Sequence, residues 1–560
     1  MPRKRSSASR RTVRPCRVAD LETTTNAADL RVWAWGIVDI DNLQNFYSGN
    51  TIGGFINWIK KESQVIYFHN LAFDSAFILD FLMNRGYIWV KENPGQGEFS
   101  SLIDRMGKFY TIVINFIDGC KVELRDSLKK LPMPVEAIAK AFHLEMRKGS
   151  IDYSEYRAPG HWITDEELKY LYNDVAIVAQ ALKLQFANGL KALTVGADSL
   201  TDFKRITGRK EFRKLFPVLS NEMDNELRKA YRGGFTYADP RFSRRMLGCG
   251  KVYDVNSLYP SVMYNYPIPV GRPWYSSGGP NGESDMFVTS ITFTAKLKKD
   301  RIPCIQVKKN PFFKGTEYVT EIPEPVTLSC TNVDLALWED QYDLDILSYN
   351  GTFYFDHESG VFSEFIDKWM RVKANSVGGT RQIAKLQLNS LYGKFATNTD
   401  VTGKHPVLDD NGIVKLVLNE FETRNPVYTP AGIFITSYAR NVTIRAAQSL
   451  YPRFAYADTD SLHILGDEMP TSIEVHPTRL GAWKHEGDFH HAVYVRAKQY
   501  GETLADGIHD VHIAGAPKQI VSHLTPADLL HNAVWHGKLI PVRTKGGIVL
   551  KETNFTFTAN

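Results

Sequence analysis

Residues 252–263 read Val252-Tyr253-Asp254-Val255-Asn256-Ser257-Leu258-Tyr259-Pro260-Ser261-Val262-Met263. The stretch opens as a short apolar strand, sets a carboxylate at Asp254, and bends through Asn256-Ser257 before Tyr259, an aromatic held against Pro260. An Asp at a strand end ordinarily bonds its own backbone in a turn. A second acidic element far downstream, Tyr456-Ala457-Asp458-Thr459-Asp460-Ser461, changes that reading. Two cations that each take several oxygen ligands need carboxylates converging from separate parts of a chain. Asp254 is therefore paired with that element.

The chain of 560 residues exceeds one hydrophobic core and predicts about three or four domains. Its 43% hydrophobic and 23% charged content is that of a globular protein. No apolar run approaches the roughly twenty residues of a membrane-spanning helix, and the N-terminus lacks a signal-peptide core. Cys16, Cys120, Cys249, Cys304 and Cys330 are scattered without metal-like spacing, which suits a reducing compartment and excludes a zinc module. Residues 1–17 carry seven cations and no acid, so the rest of the chain holds −2 against a total of +5. This segment reads as a solvated, disordered tail.

A second constellation lies in the N-terminal third. In the strand Val18-Ala19-Asp20-Leu21-Glu22, Asp20 and Glu22 share one face while Ala19 and Leu21 point to the core. The run Val65–Phe68 leads through His69 and Asn70 into a helix over 75–84, placing Asn70 and Asp74 at a strand-to-helix junction. A later helix, capped by Thr164, carries Tyr170 and Asp174 one turn apart on one face. Four acids and a phenol are the parts for two-metal phosphodiester hydrolysis.

The segment 362–398 reads as the best helix. Along it Arg381, Lys385, Asn389 and Tyr392 form one stripe, with Gly393 beside them. The two cations suit triphosphate oxygens, the tyrosine suits a base pair, and Gly393 lets that pair sit close. Tyr231-Arg232-Gly233-Gly234-Phe235 permits close backbone approach.

V-A-D-L-E-T-T-T (18–25), Y-F-H-N-L-A-F-D (67–74) and Y-L-Y-N-D-V-A-I (170–177) resemble the three proofreading-exonuclease motifs of family B DNA polymerases. The stretch 252–263, K-L-Q-L-N-S-L-Y-G (385–393) and Y-A-D-T-D-S (456–461) look like polymerase motifs A, B and C. Residues 302–308 and 331–335, with a hairpin signal at 402–412, look like the two insertions peculiar to protein-primed enzymes. From about residue 18 the chain is similar to the protein-primed polymerases of the small Bacillus phages. The short 500–515 region and the basic tail depart from that type.

The resemblance implies an α/β and α+β multidomain fold, a ribonuclease-H-like exonuclease plus a right-hand polymerase. Its expected parts are a tail (1–17), exonuclease domain (18–194), palm (195–265), first insertion (266–361), fingers (362–396), second insertion (397–428), palm (429–514) and thumb (515–560). Asp254, Asp458 and Asp460 would be catalytic for synthesis, with the Val255 carbonyl assisting the metals. Asp20, Glu22, Asp74 and Asp174 would hold the exonuclease cations, with Tyr170 and Lys148 assisting. Tyr259, Lys373, Arg381, Lys385, Asn389 and Tyr392 would bind the nucleotide, and the Tyr259 ring would exclude a 2′-hydroxyl. Tyr67, His69, Asn70, Phe73, Ser127, Leu128 and Tyr153 would meet single-stranded DNA, with core packing the competing reading for Phe73 and Leu128. Tyr231, Gly233, Gly234, Gly393, Arg440, Lys498 and Tyr500 would meet template or primer, and Thr436–Arg440 would begin a helix. The implied cofactors are two Mg²⁺ per active site, with Mn²⁺ able to substitute. The implied partners are template-primer DNA, dNTPs and a terminal protein, for a monomer in the cytoplasm of an infected bacterium.

Overall fold

A computed structural model describes residues 14–307 and 318–559. The first thirteen residues of the basic tail, and Lys308 of the first insertion signal, lie outside them. Order begins earlier than the sequence suggests: Arg17 sits in the first strand, Cys16–Thr23, only 7% exposed. Its guanidinium is paired with Asp39 at 2.5 Å and Glu62 at 2.7 Å, so the end of the tail is built into the sheet.

That strand lies within a mixed sheet ordered Phe46–Gly49, Val32–Asp39, Cys16–Thr23, Gln64–Phe68, Lys121–Asp126, Phe109–Asn115 and Glu98–Ile103. Cys16–Thr23, Gln64–Phe68 and Lys121–Asp126 run parallel, and the neighbours to either side are antiparallel. Strand alternation sends Val18, Val38, Val65 and Tyr67 into one cluster with Val175 and Val178 of the helix Asp165–Ala187. Ala19, Ile37, Ile66 and Phe68 enter another with Ile78 and Leu82 of the helix Leu71–Met83. Both faces are thus covered, as a parallel centre requires. Asp165–Ala187 starts where expected, with Thr164 and Glu167 forming a reciprocal capping box. Leu71–Met83 starts four residues before the expected helix, because Asn70 adopts a left-handed conformation (φ 78°) that turns the chain directly into it.

A second, antiparallel sheet is ordered His509–Ile513, Gln499–Leu504, Trp483–Arg496, Gly250–Val255, Ser461–Leu465, Phe454–Asp458 and Thr236–Ala238. The strand Gly250–Val255 is central although its neighbours come from more than 200 residues downstream. The segment 266–361 supplies a third sheet of four strands, Ile268–Ser276, Phe287–Leu297, Glu321–Thr331 and Tyr342–Glu358. The hairpin Lys404–Leu408/Val414–Leu418 adds to the edge of the first sheet through Lys404 and Ile103.

The long helix expected over 362–398 is instead a pair, Ser363–Asn375 and Gly378–Ser390, followed by the short Tyr392–Phe395. Gly378 has φ +55°, and a Cβ there would press on His143 and the Phe142 carbonyl at 3.2 Å, so the chain reverses at a glycine packed on the first domain. Thr436–Arg440 lies inside the helix Thr429–Ser449 and does not begin one. A two-stranded hairpin, Ala533–Thr544 and Gly547–Phe557, ends the chain and returns to the first domain, where the Gly546 amide donates to Asp80 Oδ1 at 3.0 Å.

Candidate active sites

In the first domain Asp20 and Glu22 face the helix that carries Asp174, and Asp74 enters from the first turn of Leu71–Met83. The Leu21 amide donates to Asp74 Oδ1 at 3.2 Å, which ties strand to helix. These groups line a cleft of about 690 Å³ together with Asn70, Phe73, Lys148, Tyr153 and Tyr170. Burial, with Asp174 nearby, pushes Asp20 up to about 7 against the pull of Lys148. Burial and neighbouring acids also raise Glu22 and Asp74 well above the usual carboxylate range. Lys148 Nζ donates to Asp174 Oδ2 at 2.6 Å, and the hydroxyls of Tyr153 and Tyr170 are 3.0 Å apart.

The second cleft, about 1310 Å³, opens over the antiparallel sheet. Asp254 lies near the end of its strand, opposite Ser461 on one side and Lys484 on the other. The Val255 amide donates to the Asp460 carbonyl at 2.8 Å, so the two acidic segments are joined by backbone. Ser257 is left-handed (φ 59°) and swings the helix Leu258–Asn265 away, leaving Tyr259 beside the acids. Burial, then Asp460, pushes Asp254 up to about 7, and burial raises Asp460. Across the cleft Arg381, Lys385 and Asn389 are exposed on one helix face. Lys373, from the preceding helix, donates to Ser257 Oγ at 3.1 Å and is lowered by burial, then by Arg381 and Lys385.

Among the described residues, each cleft contains a buried carboxylate oxygen with no hydrogen-bond partner, Asp174 Oδ1 in the first and Asp254 Oδ1 in the second. Such an oxygen is costly unless a cation takes it. All-oxygen donors fit Mg²⁺ or Mn²⁺. Among the described residues no three Asp, Glu, His or Cys side chains close into a complete cage. The carboxylates thus offer part of a coordination sphere, which is how Mg²⁺ is held when substrate oxygens and water complete it.

Residues 56–476 match the family described as DNA polymerase type B, organellar and viral. The chain belongs to that family. It is 44% identical to the DNA polymerase of Bacillus phage Nf over 563 residues, which covers 96% of this chain and 98% of that one. The structure of phi29 DNA polymerase complexed with primer-template DNA and incoming nucleotide substrates superposes with a TM-score of 0.93 at 41% identity, covering 98% and 100% of the two chains. The same enzyme complexed with single-stranded DNA gives 0.92 at 40% identity, again covering 98% and 100%. These matches establish a multidomain DNA polymerase with exonuclease and polymerase domains.

Within this type B polymerase several expected contacts are placed differently. Tyr67 is 2% exposed and its hydroxyl accepts from Arg125, and Ser127 is fully buried and donates to the Phe68 carbonyl, so both face the domain interior. His69 has both ring nitrogens engaged, with Ser127 Oγ at 3.0 Å and the Met133 carbonyl at 2.8 Å. Asn70 stays exposed at the cleft mouth, with Phe73 on the wall; Leu128 is half-buried. Arg440 is 4% exposed: Nη2 reaches both Asp334 oxygens at 2.7 and 2.8 Å, and Nη1 donates to the carbonyls of Arg232 and Gly233. It braces the Tyr231–Gly234 loop from behind. Gly234 is needed inside the protein, because a Cβ would lie 2.7 Å from Thr459, whereas Gly233 and Gly393 face open space. Asp458 lines the same cleft as Asp460 and adds to what raises it, but its own carboxylate has further partners. Thr459 has φ 63°, and the Asp458 carboxylate accepts from Lys498 Nζ at 2.8 and 3.0 Å and from Thr236 at 3.0 Å. Tyr500 stacks on His512 at the same end of the cleft, with centroids 4.7 Å apart.

Some lining residues were not among the expected site residues, although 515–560 was expected as a thumb. Leu539, Ile548, Val549 and Leu550 of the C-terminal hairpin form a wall of the first cleft, and Glu486 adds a third acid near Asp254. The hairpin reaches its place only through the tertiary fold. Glu486 is passed over in the pairing, between His485 opposite Tyr253 and Gly487 opposite Val252, so strand alternation alone does not place it.

Proposed function

We propose that this polymerase synthesises DNA from dNTPs on a template, starts from a hydroxyl of a terminal protein, and proofreads 3′→5′ in the first domain. The single observation that carries the reading is the convergence of Asp254, with its unpartnered buried oxygen, and Asp460, opposite the Lys373, Arg381 and Lys385 cations. Two Mg²⁺ fit the acids, and when bound they supply charge neutralisation and Lewis acidity at the attacking and leaving oxygens. The chain's own part is positioning. Lys373, Arg381 and Lys385 offset triphosphate charge, Tyr259 occupies the space of a 2′-hydroxyl, and Lys498 and Tyr500 hold the primer end. In the exonuclease cleft Asp20, Glu22, Asp74 and Asp174 would hold the cations, Lys148 fixes Asp174, and the Tyr153–Tyr170 pair orients the attacking water. The two insertions would enclose DNA and give processive, strand-displacing synthesis, and the similarity to phage polymerases of the phi29 type supports protein priming. Rolling-circle extension with and without a cognate terminal protein tests the reading. Long products from a circular template, and protein-linked products only when the terminal protein is added, are expected. Short products that stop at duplex DNA would remove strand displacement.

A further inference from the structure

The strand Gln499–Leu504, which follows Lys498, carries a buried acid, Glu502, which lies outside the groups assigned to cations or nucleotide. It is 2% exposed. The Tyr494 hydroxyl donates to Glu502 Oε1 at 2.6 Å, and His463 Nδ1 lies 2.6 Å from the same oxygen. Both partners are buried too, at 0% and 3% exposure. His463 stands three residues past Asp460, opposite Val252, which is two residues before Asp254. Tyr494 stands on the strand Trp483–Arg496, whose Lys484 is opposite Asp254. These two strands are the immediate neighbours of Gly250–Val255. One carboxyl oxygen therefore joins the strand of the Lys498 turn to both flanks of the strand that carries Asp254.

The turn itself is tied at two more points. The Lys498 amide donates to the Tyr456 hydroxyl at 3.0 Å, and its ammonium donates to Asp458. Lys498 has φ 59°, so its direction depends on what holds the strands on either side. An apolar residue at 502 could fill the space. A buried carboxyl costs desolvation and returns a fixed direction and distance to each donor.

We propose that Glu502 is a positioning residue for polymerisation. It sets the distance of the Lys498–Tyr500 turn from Asp254 and Asp460, and so the placement of the primer 3′ end. The proposal rests on the reading of Lys498 and Tyr500 as primer contacts.

The test compares parent, Glu502→Ala, Glu502→Gln and Lys498→Ala enzymes in single-nucleotide incorporation, primer-template binding and degradation of single-stranded DNA with Mg²⁺. For Glu502→Ala the expected result is a fall in kcat of about tenfold or more at saturating dNTP, weaker primer-template binding, a dNTP KM within about twofold, and unchanged single-strand degradation. Glu502→Gln, whose amide oxygen can still accept from Tyr494, recovers most of the rate. A Glu502→Ala enzyme within twofold of the parent in kcat overturns the proposal. So does a parallel loss of synthesis and degradation, which marks a strut for the whole fold, or a change confined to dNTP KM. Lys498→Ala separates the two readings. If it extends primers as the parent does, the primer-contact reading itself falls; if it is impaired while Glu502→Ala is not, only the present inference falls.

Discussion

The ring of Tyr259 lies flat on that of Tyr392, with centroids 3.8 Å apart and planes within 12°. The two come from different elements, Tyr259 from the helix after Asp254 and Tyr392 from the short helix Tyr392–Phe395 that follows the lysine-bearing one. The contact leaves Tyr259 little freedom to move aside. In the proposed reading, a ring held this way would exclude a 2′-hydroxyl by shape.

Tyr259→Val opens that space. The expected outcome is a ratio of dNTP to NTP incorporation efficiency lowered by about tenfold or more, equivalent to roughly 1.4 kcal/mol of discrimination. Steady-state kcat/KM for dCTP and CTP opposite the same template base measures it. An unchanged ratio would remove the sugar-selecting role from Tyr259.

The two clefts draw on different strands and helices, so their chemistries separate. Asp460→Ala is expected to abolish primer extension while degradation of single-stranded DNA continues. Asp20→Ala combined with Asp74→Ala is expected to do the reverse. Both activities are read on one labelled oligonucleotide, and joint loss in either variant would contradict two independent sites.

Asp254 and Asp20 are both pushed up to about 7, each first by burial and then by a neighbouring acid. Without a cation, the folded state therefore binds more protons than the unfolded chain between the ordinary Asp value near 4 and about 7. The sign follows: the metal-free fold loses stability as pH rises through that window and levels off above it. A cation must displace those protons, so it binds more tightly at higher pH. Thermal unfolding in EDTA is expected at a lower temperature at pH 8 than at pH 6, and the gain on adding Mg²⁺ is expected to be larger at pH 8. A Mg²⁺ gain independent of pH would contradict the assignment of these acids as ligands.

Arg440 and Asp334 are 4% and 2% exposed and share two hydrogen bonds. Burial alone would raise Asp334, but the Arg440 and Arg232 guanidiniums outweigh it and hold the carboxyl below its usual range. Arg440→Ala strands that charge, which costs about 3–5 kcal/mol in buried pairs. The expected outcome is a lower denaturation midpoint, and Arg440→Lys is expected to recover only part of it, because one ammonium does not serve both Asp334 and the Arg232 and Gly233 carbonyls as the two guanidinium arms do. Equilibrium urea unfolding checks both. A variant of parental stability with weakened DNA binding would return Arg440 to the DNA surface.

Much of the two sites was legible because metal chemistry leaves a strong imprint on sequence. Asp254 and the acidic element 456–461 were paired by the need for separated carboxylates, and Asp20, Glu22, Asp74 and Asp174 by strand alternation and helical spacing. Those rules act over a few residues and survive any tertiary context. The stripe Arg381, Lys385, Asn389 and Tyr392 was found the same way, although the helix around it is broken at Gly378 by packing against Phe142 and His143.

Burial and partner choice were not legible, because both are set by segments distant in the chain. The sequence marks Arg440 and Lys498 alike as basic residues in polar motifs. The fold buries the first against Asp334 and leaves the second at the cleft, bonded to Asp458. In the acidic stretch that pairs with 252–263, Thr459 is left-handed and lies against Gly234, and the Asp458 carboxylate is taken by Lys498 and Thr236, partners that no local rule supplies. The sequence by itself determined which residue types could hold cations and nucleotide, since that depends on side-chain chemistry and local period. Only the tertiary structure decided which of them face the cleft, since direction depends on close packing among strands that meet across hundreds of residues.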